Sequence, residues 1–467
     1  MHPSWRLVYT AVFSAFGGSF HFGFQWGFIN PSEKILTQAL NNTLIGRYKW
    51  TANLITFRLL WSMVVSVLSL GSIFGALLIP EMTNRFSRKT NIFVSAFILV
   101  IAALPTACSY SANSFELFVL GRLLYGIGCA LSLGHQALYL AEISPVNKRG
   151  FIGAITGVMV EVGFLIGGAL ATPDLLGTAT LWPWLLLWTT LPSLLLTILL
   201  WFFAESPYYL LKTGRRTEAI DSILFYHESA TDLDKVLDQL AQEIEKEKKS
   251  VSVAQLFRTK FALKGTLLSI LCQVAVSFSG ITAITAFTTF LLAETGLTHA
   301  TAAYATTLIF SGSLIGILLS LFVVDKFGRR PLLLISCLFS AVFNLTFLIL
   351  LTQYQMVPNP ALGYCFFGAA FLFMLFFGIG LSPIPWFLAT ELVPPNAAPA
   401  AQCVSVITQH VAGFFACTAF YPLHAAIGGC SFVIYIVPLL LVAAVFYFKL
   451  PESKNRSWAE VQIMLYP

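Results

Sequence analysis

A short charged segment occurs twice in this sequence, first as Asn84-Arg85-Phe86-Ser87-Arg88-Lys89 and again as Asp325-Lys326-Phe327-Gly328-Arg329-Arg330. Two more motifs repeat in the same order and at a nearly constant interval, namely Glu142-Ile143-Ser144-Pro145 with Glu391-Leu392-Val393-Pro394, and Glu205-Ser206 with Glu452-Ser453. This pattern predicts a duplicated membrane domain. Two homologous helical halves around a central site are typical of secondary transporters, because tilting one half against the other exposes the site to each side in turn.

The composition places the chain in lipid. Of its 467 residues 57% are hydrophobic and only 10% are charged, whereas an average soluble protein has about 25% charged residues. Because a helix needs about 20 apolar residues to cross the hydrocarbon core, the apolar runs predict twelve transmembrane helices, six before residue 204 and six after residue 262. We therefore expect an all-α membrane protein with an N-terminal six-helix bundle (1–204), a cytosolic helical linker (205–261), a C-terminal six-helix bundle (262–450) and a cytosolic tail (451–467).

Basic residues orient the chain. Most of the 27 Lys and Arg residues fall on the side of the membrane that holds both termini, and the positive-inside rule makes that side cytosolic. The net charge of +6 is thus an orientation signal and implies no nucleic-acid partner. Asn41-Asn42-Thr43 is a glycosylation sequon in the first outer loop, where Asn41 would be modified.

Within the predicted linker, apolar residues recur at helical spacing on one face: Leu233, Val236, Leu237, Leu240 and Ile244. This spacing predicts a short amphipathic helix. We interpret it as a connection between two bundles that move.

The repeated charged segments lie where predicted spans meet the cytosol, and acid and base occupy matched places in both halves. Carboxylates at helix ends can form paired bonds with guanidinium groups of other loops, and several such pairs would latch the inner face. The residues expected to form this gate are Arg85, Arg88, Glu142, Arg149, Glu205, Arg329, Arg330, Glu391 and Glu452. The alternative is solvated ion pairs that contribute about 0–1 kcal/mol each and only set the topology.

Six motifs resemble those of the animal facilitative hexose transporters (GLUT family), in the sugar-porter branch of the major facilitator superfamily. They are Gly121-Arg122, Glu142-Ile143-Ser144-Pro145, Glu205-Ser206-Pro207, the Asp325–Arg330 segment, Pro383-Ile384-Pro385-Trp386-Phe387 and Pro451-Glu452-Ser453-Lys454. The resemblance covers nearly the whole chain. It implies the major facilitator fold, a plasma-membrane location, and passive carriage of a hexose or similar polyol by alternating access.

The resemblance also implies a substrate site between the halves. The positions that match it are Gln25, Gly157, Gln273, Ser277, Thr282, Ser313, Trp386, Gln409 and His410. Several of them replace amides that bind sugar hydroxyls in the family, and each hydroxyl left unpaired costs about 1–3 kcal/mol. Trp386 keeps an aromatic face for the C–H groups of a sugar ring.

Glu161 is an acid near the middle of the predicted fifth span. A carboxylate there costs about 2.5–3.5 kcal/mol on insertion scales, which makes it a candidate functional residue. Four residues after Gly157, it shares a helix face with the family's sugar-facing position. We expect Glu161 to face the cavity and either pair with Arg122, at a similar height in the fourth span, or contact the substrate. The alternative is a buried, protonated side chain bonded to a backbone carbonyl.

Two mechanisms remain open. Proton-driven sugar porters carry an aspartate in the first span after Phe-Gly-aromatic, where this chain has Gln25 after Phe22-Gly23-Phe24. An amide does not exchange a proton at neutral pH, so Gln25 favours a uniporter, while Glu161 keeps proton-coupled symport as the alternative.

The sequence contains no pattern typical of an enzyme or of a metal site. His21, His135 and His410 lie singly in apolar spans, and no phosphate loop, catalytic triad or ligand cluster is evident, so we expect no cofactor, no metal site and no enzymatic activity. The expected partners are a small sugar or polyol and the lipid bilayer. A third alternative is a transporter-like sensor or partner subunit that no longer carries hexose. Nothing in the sequence specifies an oligomeric state.

Overall fold

The computed structural model describes residues 4–145, 149–227, 233–247, 253–258, 260–394, 397–454, 456 and 458–465. Throughout these ranges the regular structure is helical. Each of the twelve predicted spans has a helical counterpart, so the predicted all-α membrane fold is confirmed.

The first half holds six spans. In chain order they are Trp5–Gly27, Leu54–Arg85, Arg88–Ser111, Phe115–Ile143, Arg149–Leu170 and Trp182–Leu199. A separate helix, Glu33–Tyr48, lies between the first and second spans. We call the side of the molecule that carries this helix the outer face, and the opposite side the inner face.

The second half repeats the arrangement. Its six spans are Ala262–Glu294, His299–Phe327, Arg329–Met356, the broken pair Pro360–Ile379 and Ile384–Leu392, Ala398–Ile427, and Val433–Lys449. A short helix, Trp458–Leu465, packs back against the inner ends of the seventh and tenth spans.

Among the described residues, four spans are interrupted near their middle. In the sixth, the break at Thr189 separates the helices Trp182–Trp188 and Thr190–Leu199. The first kinks at Gly18, the tenth breaks between Ile379 and Ile384, and the seventh contains a wide turn at Ser277–Ile281 in which Gly280 has φ +97°. Asn344 stabilises this turn by donating from Nδ2 to the carbonyl of Ser279 at 2.6 Å. Irregular backbone at membrane depth is stable only where the protein or a cavity satisfies it, so these breaks mark the central region as the place for a site.

The linker contains the helices Pro207–Lys212, Arg216–Tyr226, Leu233–Glu247 and Val253–Leu256. The third of these confirms the predicted amphipathic helix, since Leu237 and Leu240 pack against Tyr208 and Ile223. The domain boundaries given above remain a prediction.

The two halves are joined near the outer face. The Nδ2 of Asn30 donates to the carbonyls of Ile284 and Thr285 at 3.0 and 3.1 Å, and its Oδ1 accepts from the backbone N–H of Thr289 at 2.8 Å. Deeper in the bilayer, the hydroxyls of Ser66 and Thr418 lie 2.7 Å apart. These bonds link the first half to the second and close the molecule towards the outer face.

Backbones of the first and fifth spans touch directly. A Cβ atom on Gly163 would lie 2.2 Å from the carbonyl oxygen of Phe20, and one on Gly23 would lie 1.8 Å from that of Val160. Small residues allow the two backbones to approach this closely. Because the hydrophobic effect does not drive helices together in lipid, such close packing is what stabilises their association.

This packing predicts that Gly163→Ala lowers the melting temperature of the detergent-purified protein, because overpacking costs about 1–3 kcal/mol. The matched control is Gly153→Ala in the same span, where an added Cβ meets no atom within 4 Å and alanine favours the helix by about 1 kcal/mol. Equal melting temperatures for the two variants would contradict this account of the packing.

Candidate functional site

A carboxylate and guanidinium network occupies the inner end of each half. In the first half, Arg88 donates from Nη2 and Nε to Glu142 at 2.9 to 3.2 Å, and both side chains are nearly buried. The carboxylate of Glu205 accepts from the backbone N–H of Lys89 at 3.3 Å, and Ser206 donates to Glu142. Glu205 thus lies at the N-terminus of the third span, where the helix dipole stabilises negative charge.

The second half repeats this network residue for residue. Arg329 donates to Glu391 at 3.2 Å, Ser453 donates to the same carboxylate at 2.5 Å, and Glu452 accepts from the backbone N–H groups of Arg329 and Arg330 at 2.9 and 3.0 Å. The sequence duplication therefore corresponds to a duplicated set of contacts.

Each of these bonds joins residues of the same half. The sequence, in contrast, predicts ion pairs that latch the inner face. In this conformation the observed bonds brace the third span to the fourth, and the ninth to the tenth. Arg85 forms an ion pair with Glu81 on its own helix and stays exposed. The side chain of Arg149 lies outside the described residues. The gate role of the whole set remains a prediction.

Glu161 crosses the boundary between the halves. Its Oε2 accepts a hydrogen bond from Ser313 of the eighth span at 2.5 Å, and its Oε1 accepts one from Ser382, beside the tenth-span break, at 3.2 Å. The side chain is 5% exposed. A mid-membrane acid is therefore held by two hydroxyls of the opposite half.

The predicted pairing of Glu161 with Arg122 is wrong. Arg122 donates from Nη1 to the carbonyl and the Oε1 of Gln25, at 2.8 and 3.2 Å, and from Nη2 to the carbonyl of Val65 at 2.9 Å. These acceptors lie within the first half and bind both Nη atoms there, while Nε of Arg122 is buried without a hydrogen-bond partner among the described residues. The proposed bond from Glu161 to a backbone carbonyl is also wrong, because its partners are serine hydroxyls.

The bond between Glu161 and Ser313 can run in either direction. Ser313 Oγ also lies 2.9 Å from the carbonyl of Phe310, and a hydroxyl has one proton to donate. A charged Glu161 accepts that proton from Ser313. A protonated Glu161 donates instead to Ser313, which then donates to Phe310.

Two of the predicted sugar-binding amides have a side-chain oxygen that accepts no hydrogen bond from the described residues. Gln273 donates from Nε2 to the carbonyl of Pro385 at 3.1 Å, and its Oε1 is buried without a protein partner. The Oε1 of Gln409 is likewise unpaired, while its carbonyl accepts from Ser277 at 3.1 Å. Buried acceptors are normally satisfied, so these two oxygens are available to ligand hydroxyls.

The other predicted residues fall into two groups. Near the centre, His410 packs edge-on against Phe22 of the first half, Gly157 faces Ile317, and Trp386 is 36% exposed. Gln25 and Thr282 bond inside their own halves, to Arg122 and to the hydroxyl of Tyr435 respectively.

Sequence reasoning missed Ser382 and Asn30 as residues that join the halves. The signal for Ser382 was its place directly before Pro383, at the tenth-span break. Asn30 precedes Pro31 at the outer end of an apolar span, where a lone amide needs a partner.

Comparison with known proteins bears on the identity of this arrangement. The sequence family described as Sugar (and other) transporter matches residues 10–465. The chain is similar to the facilitated glucose transporter member 1 of Gallus gallus, with 32% identity over 98% of this chain and 92% of that protein. It is also similar to the facilitated glucose transporter member 3 of Homo sapiens, with 30% identity over 95% of this chain and 89% of that protein.

Solved structures with the same architecture include the xylose transporter XylE from E. coli in a partially occluded inward-open conformation, with a TM-score of 0.78, 20% identity, and coverage of 95% of this chain and 100% of that one. The proton:xylose symporter XylE bound to 6-bromo-6-deoxy-D-glucose matches with a TM-score of 0.80 and 20% identity, over 98% and 99% of the two chains. At this identity the match establishes the major facilitator fold. Together, the duplicated inner networks, the twelve spans and the near full-length family match establish that this chain belongs to the Sugar (and other) transporter family.

Proposed function

We propose that this protein is a facilitative carrier, a uniporter, that moves a hexose or similar polyol across the plasma membrane by alternating access, with both termini in the cytosol. The main support is the central contact of Glu161 with Ser313 and Ser382, which ties opposite halves at the level where the seventh and tenth spans are broken. A substrate that takes over these bonds changes the balance between the joined and separated halves, as a carrier requires.

The residues around this contact suit a polyhydroxylated ligand. Acceptors are available at Gln273 and Gln409, while Ser277, Ser313 and His410 can exchange donor and acceptor roles. Trp386 offers a partly exposed aromatic face, and Gly157 lies against Ile317 of the other half, where an added Cβ would come within 2.9 Å of the Ile317 side chain. We propose that these residues and Glu161 contact the substrate. Direct contact by Gln25 and Thr282 stays a prediction, since both bond within their own halves in this conformation.

Uniport is supported by the surroundings of Arg122. The two Nη atoms of this buried guanidinium donate to two carbonyls and to the neutral amide of Gln25. None of these groups takes up or releases a proton at neutral pH, so the cluster keeps the same charge throughout a transport cycle.

Proton-coupled symport is the second candidate, and Glu161 is the observation that favours it. A carboxyl group whose hydrogen bond to Ser313 can run in either direction is stable with or without a proton. Separation of the halves would expose this group to water and allow proton exchange.

Uptake measurements separate these candidates. In liposomes, and in cells that lack endogenous carriers, we expect labelled glucose or fructose to equilibrate down its gradient. Acidifying one side of the liposomes is expected to produce no accumulation beyond equilibrium. Accumulation against the gradient would establish symport, and failure to move any labelled hexose or polyol would support the sensor alternative.

The central contact predicts the effect of Ser313→Ala. Loss of one hydrogen bond to a charged or substrate-bound group costs about 1.5–3 kcal/mol, so kcat/KM should fall by about tenfold or more. Ser311→Ala is the matched control, because Ser311 lies in the same span, is partly exposed, and donates only to the carbonyl of Leu308 among the described contacts. A Ser313→Ala variant with unchanged kcat/KM would remove this contact from the mechanism.

The proposed orientation predicts that Asn41 carries an N-linked glycan. Asn41 is exposed on the outer helix Glu33–Tyr48. Treatment with an endoglycosidase should increase the gel mobility of the wild type and of Asn42→Gln, which keeps the sequon, but leave Asn41→Gln unchanged. Identical mobility of all three proteins before and after treatment would contradict the prediction.

A further inference from the structure

A further contact between the halves lies at the outer face, away from the central site. Tyr421 of the eleventh span donates from its hydroxyl to Oε1 of Glu33 at 2.9 Å. The guanidinium of Arg58 lies 5.0 Å from the ring centroid of Tyr421 and 4.9 Å from that of Phe290. We call Glu33, Arg58, Phe290 and Tyr421 the outer latch. Its acid and its cation belong to the first half, and its two rings belong to the second.

The rings of the latch are firmly held on their own side. Tyr421 stacks on Phe287 with centroids 4.9 Å apart and an interplanar angle of 12°, and it meets Phe290 edge-on at 4.8 Å. Such aromatic pairs stabilise the structure beyond the burial of their apolar surface. The orientation of the Tyr421 hydroxyl towards the first half is therefore fixed by packing, and Glu33 is the group that receives it.

Closure of the latch removes Glu33 from water. Its side chain is 8% exposed. Burial raises the pKa of Glu33 to about 7, an effect that the bond from Tyr421 and the charge of Arg58 partly oppose. When the halves separate at this face, the carboxyl becomes hydrated and its pKa returns towards the ordinary value of about 4.5.

We propose that Glu33 is a positioning residue of the outer gate, which joins the first half to Tyr421 of the second half at the outer face, and that protonation of Glu33 from outside favours the closed gate. This inference rests on the proposed alternating-access carrier. It adds a residue that regulates entry to that carrier, at a site separate from the one that binds substrate.

The direction of the pH effect follows from the two states. The closed latch binds a proton below about pH 7, whereas the open one does so only near pH 4.5, so acid shifts the population towards closure. Above pH 7 Glu33 is charged in both states, and burying that charge opposes closure. Between pH 8 and pH 5.5 the ratio of closed to open molecules rises by about 25-fold at most.

Other titratable groups surround the latch. Glu294 and His424 form an ion pair behind Tyr421, with Oε2 and Nε2 2.6 Å apart, and both belong to the second half. This pair therefore does not itself join the two halves. Next to Glu33, Lys34 of the first half approaches His299 of the second half. A protonated His299 would be repelled by Lys34, so its titration would open the gate in acid, the opposite sign to that of Glu33.

The first test measures KM for zero-trans entry of the labelled hexose carried in the uptake assay, at external pH 8 to 5.5 with internal pH fixed. Because only the open fraction binds external sugar, KM of the wild type should rise on acidification, by up to about 25-fold. Glu33→Gln should show a flat profile. Tyr421→Phe removes a bond that lowers the pKa of Glu33, so its midpoint should move to higher pH.

Glu116→Gln is the matched control. Glu116 also accepts from a tyrosine at the outer face, the hydroxyl of Tyr48 at 2.5 Å, but both residues belong to the first half. This variant should keep the wild-type profile. His299→Gln and His424→Gln should keep the rise of KM in acid.

The second test does not depend on transport. Thr285→Cys places a thiol beside Asn30 in the closed outer pathway. Because the thiolate is the reactive form, its labelling by a membrane-impermeant maleimide, above that of the parent protein, is divided at each pH by the labelling of a free model thiol. This ratio should fall on acidification, and should do so only when Glu33 is present. Labelling and KM that respond to pH equally with and without Glu33 would overturn the inference. If the pH dependence of labelling requires Glu33 but the protein carries no hexose, the proposed gate is supported and the proposed substrate is wrong.

Discussion

In a bilayer every polar group must find its partner inside the protein, because lipid supplies none. This constraint explains the most unusual features of the chain. The breaks of the seventh and tenth spans lie where side chains such as Asn344 satisfy the freed carbonyls. Arg122 is held by carbonyls and an amide. Glu161, for which no side-chain hydrogen bond within its own half is seen among the described residues, takes two partners from the other half.

The same constraint makes the contacts between the halves suitable for switching. Contacts within a half are numerous and of several kinds, including backbone packing at Gly23 and Gly163 and the inner networks around Glu142 and Glu391. Among the described residues, side-chain hydrogen bonds between the halves involve few groups of the first half, namely Asn30, Glu33, Ser66, Glu161 and Asp174. Water that enters when one face opens can replace each of these bonds, so the halves separate at modest cost while each bundle stays intact.

Prediction from sequence was most successful for local features. The twelve spans and the amphipathic linker helix follow from hydropathy and spacing, which the structure reproduces. For the site, Glu161 was correctly identified as an unusual intramembrane acid, but its partner was wrong. Helical rise places Glu161 and Arg122 at a similar height, yet height does not specify which helix faces which. The family resemblance predicts that Ser313 faces the substrate. For Ser382 and Asn30, the sequence offers only their position directly before a proline, which does not identify a partner.

The sequence by itself determined that this is a duplicated twelve-helix membrane protein with matched charged motifs at one face, because apolar run length, basic residues and repeated motifs are local properties of the chain. Only the tertiary structure decided which polar groups meet across the two halves. Glu161 and Ser313 are 152 residues apart in the chain, and Glu33 and Tyr421 are 388 apart. Their pairing depends on how two six-helix bundles face each other, which is a property of packing and leaves no periodic trace in the sequence.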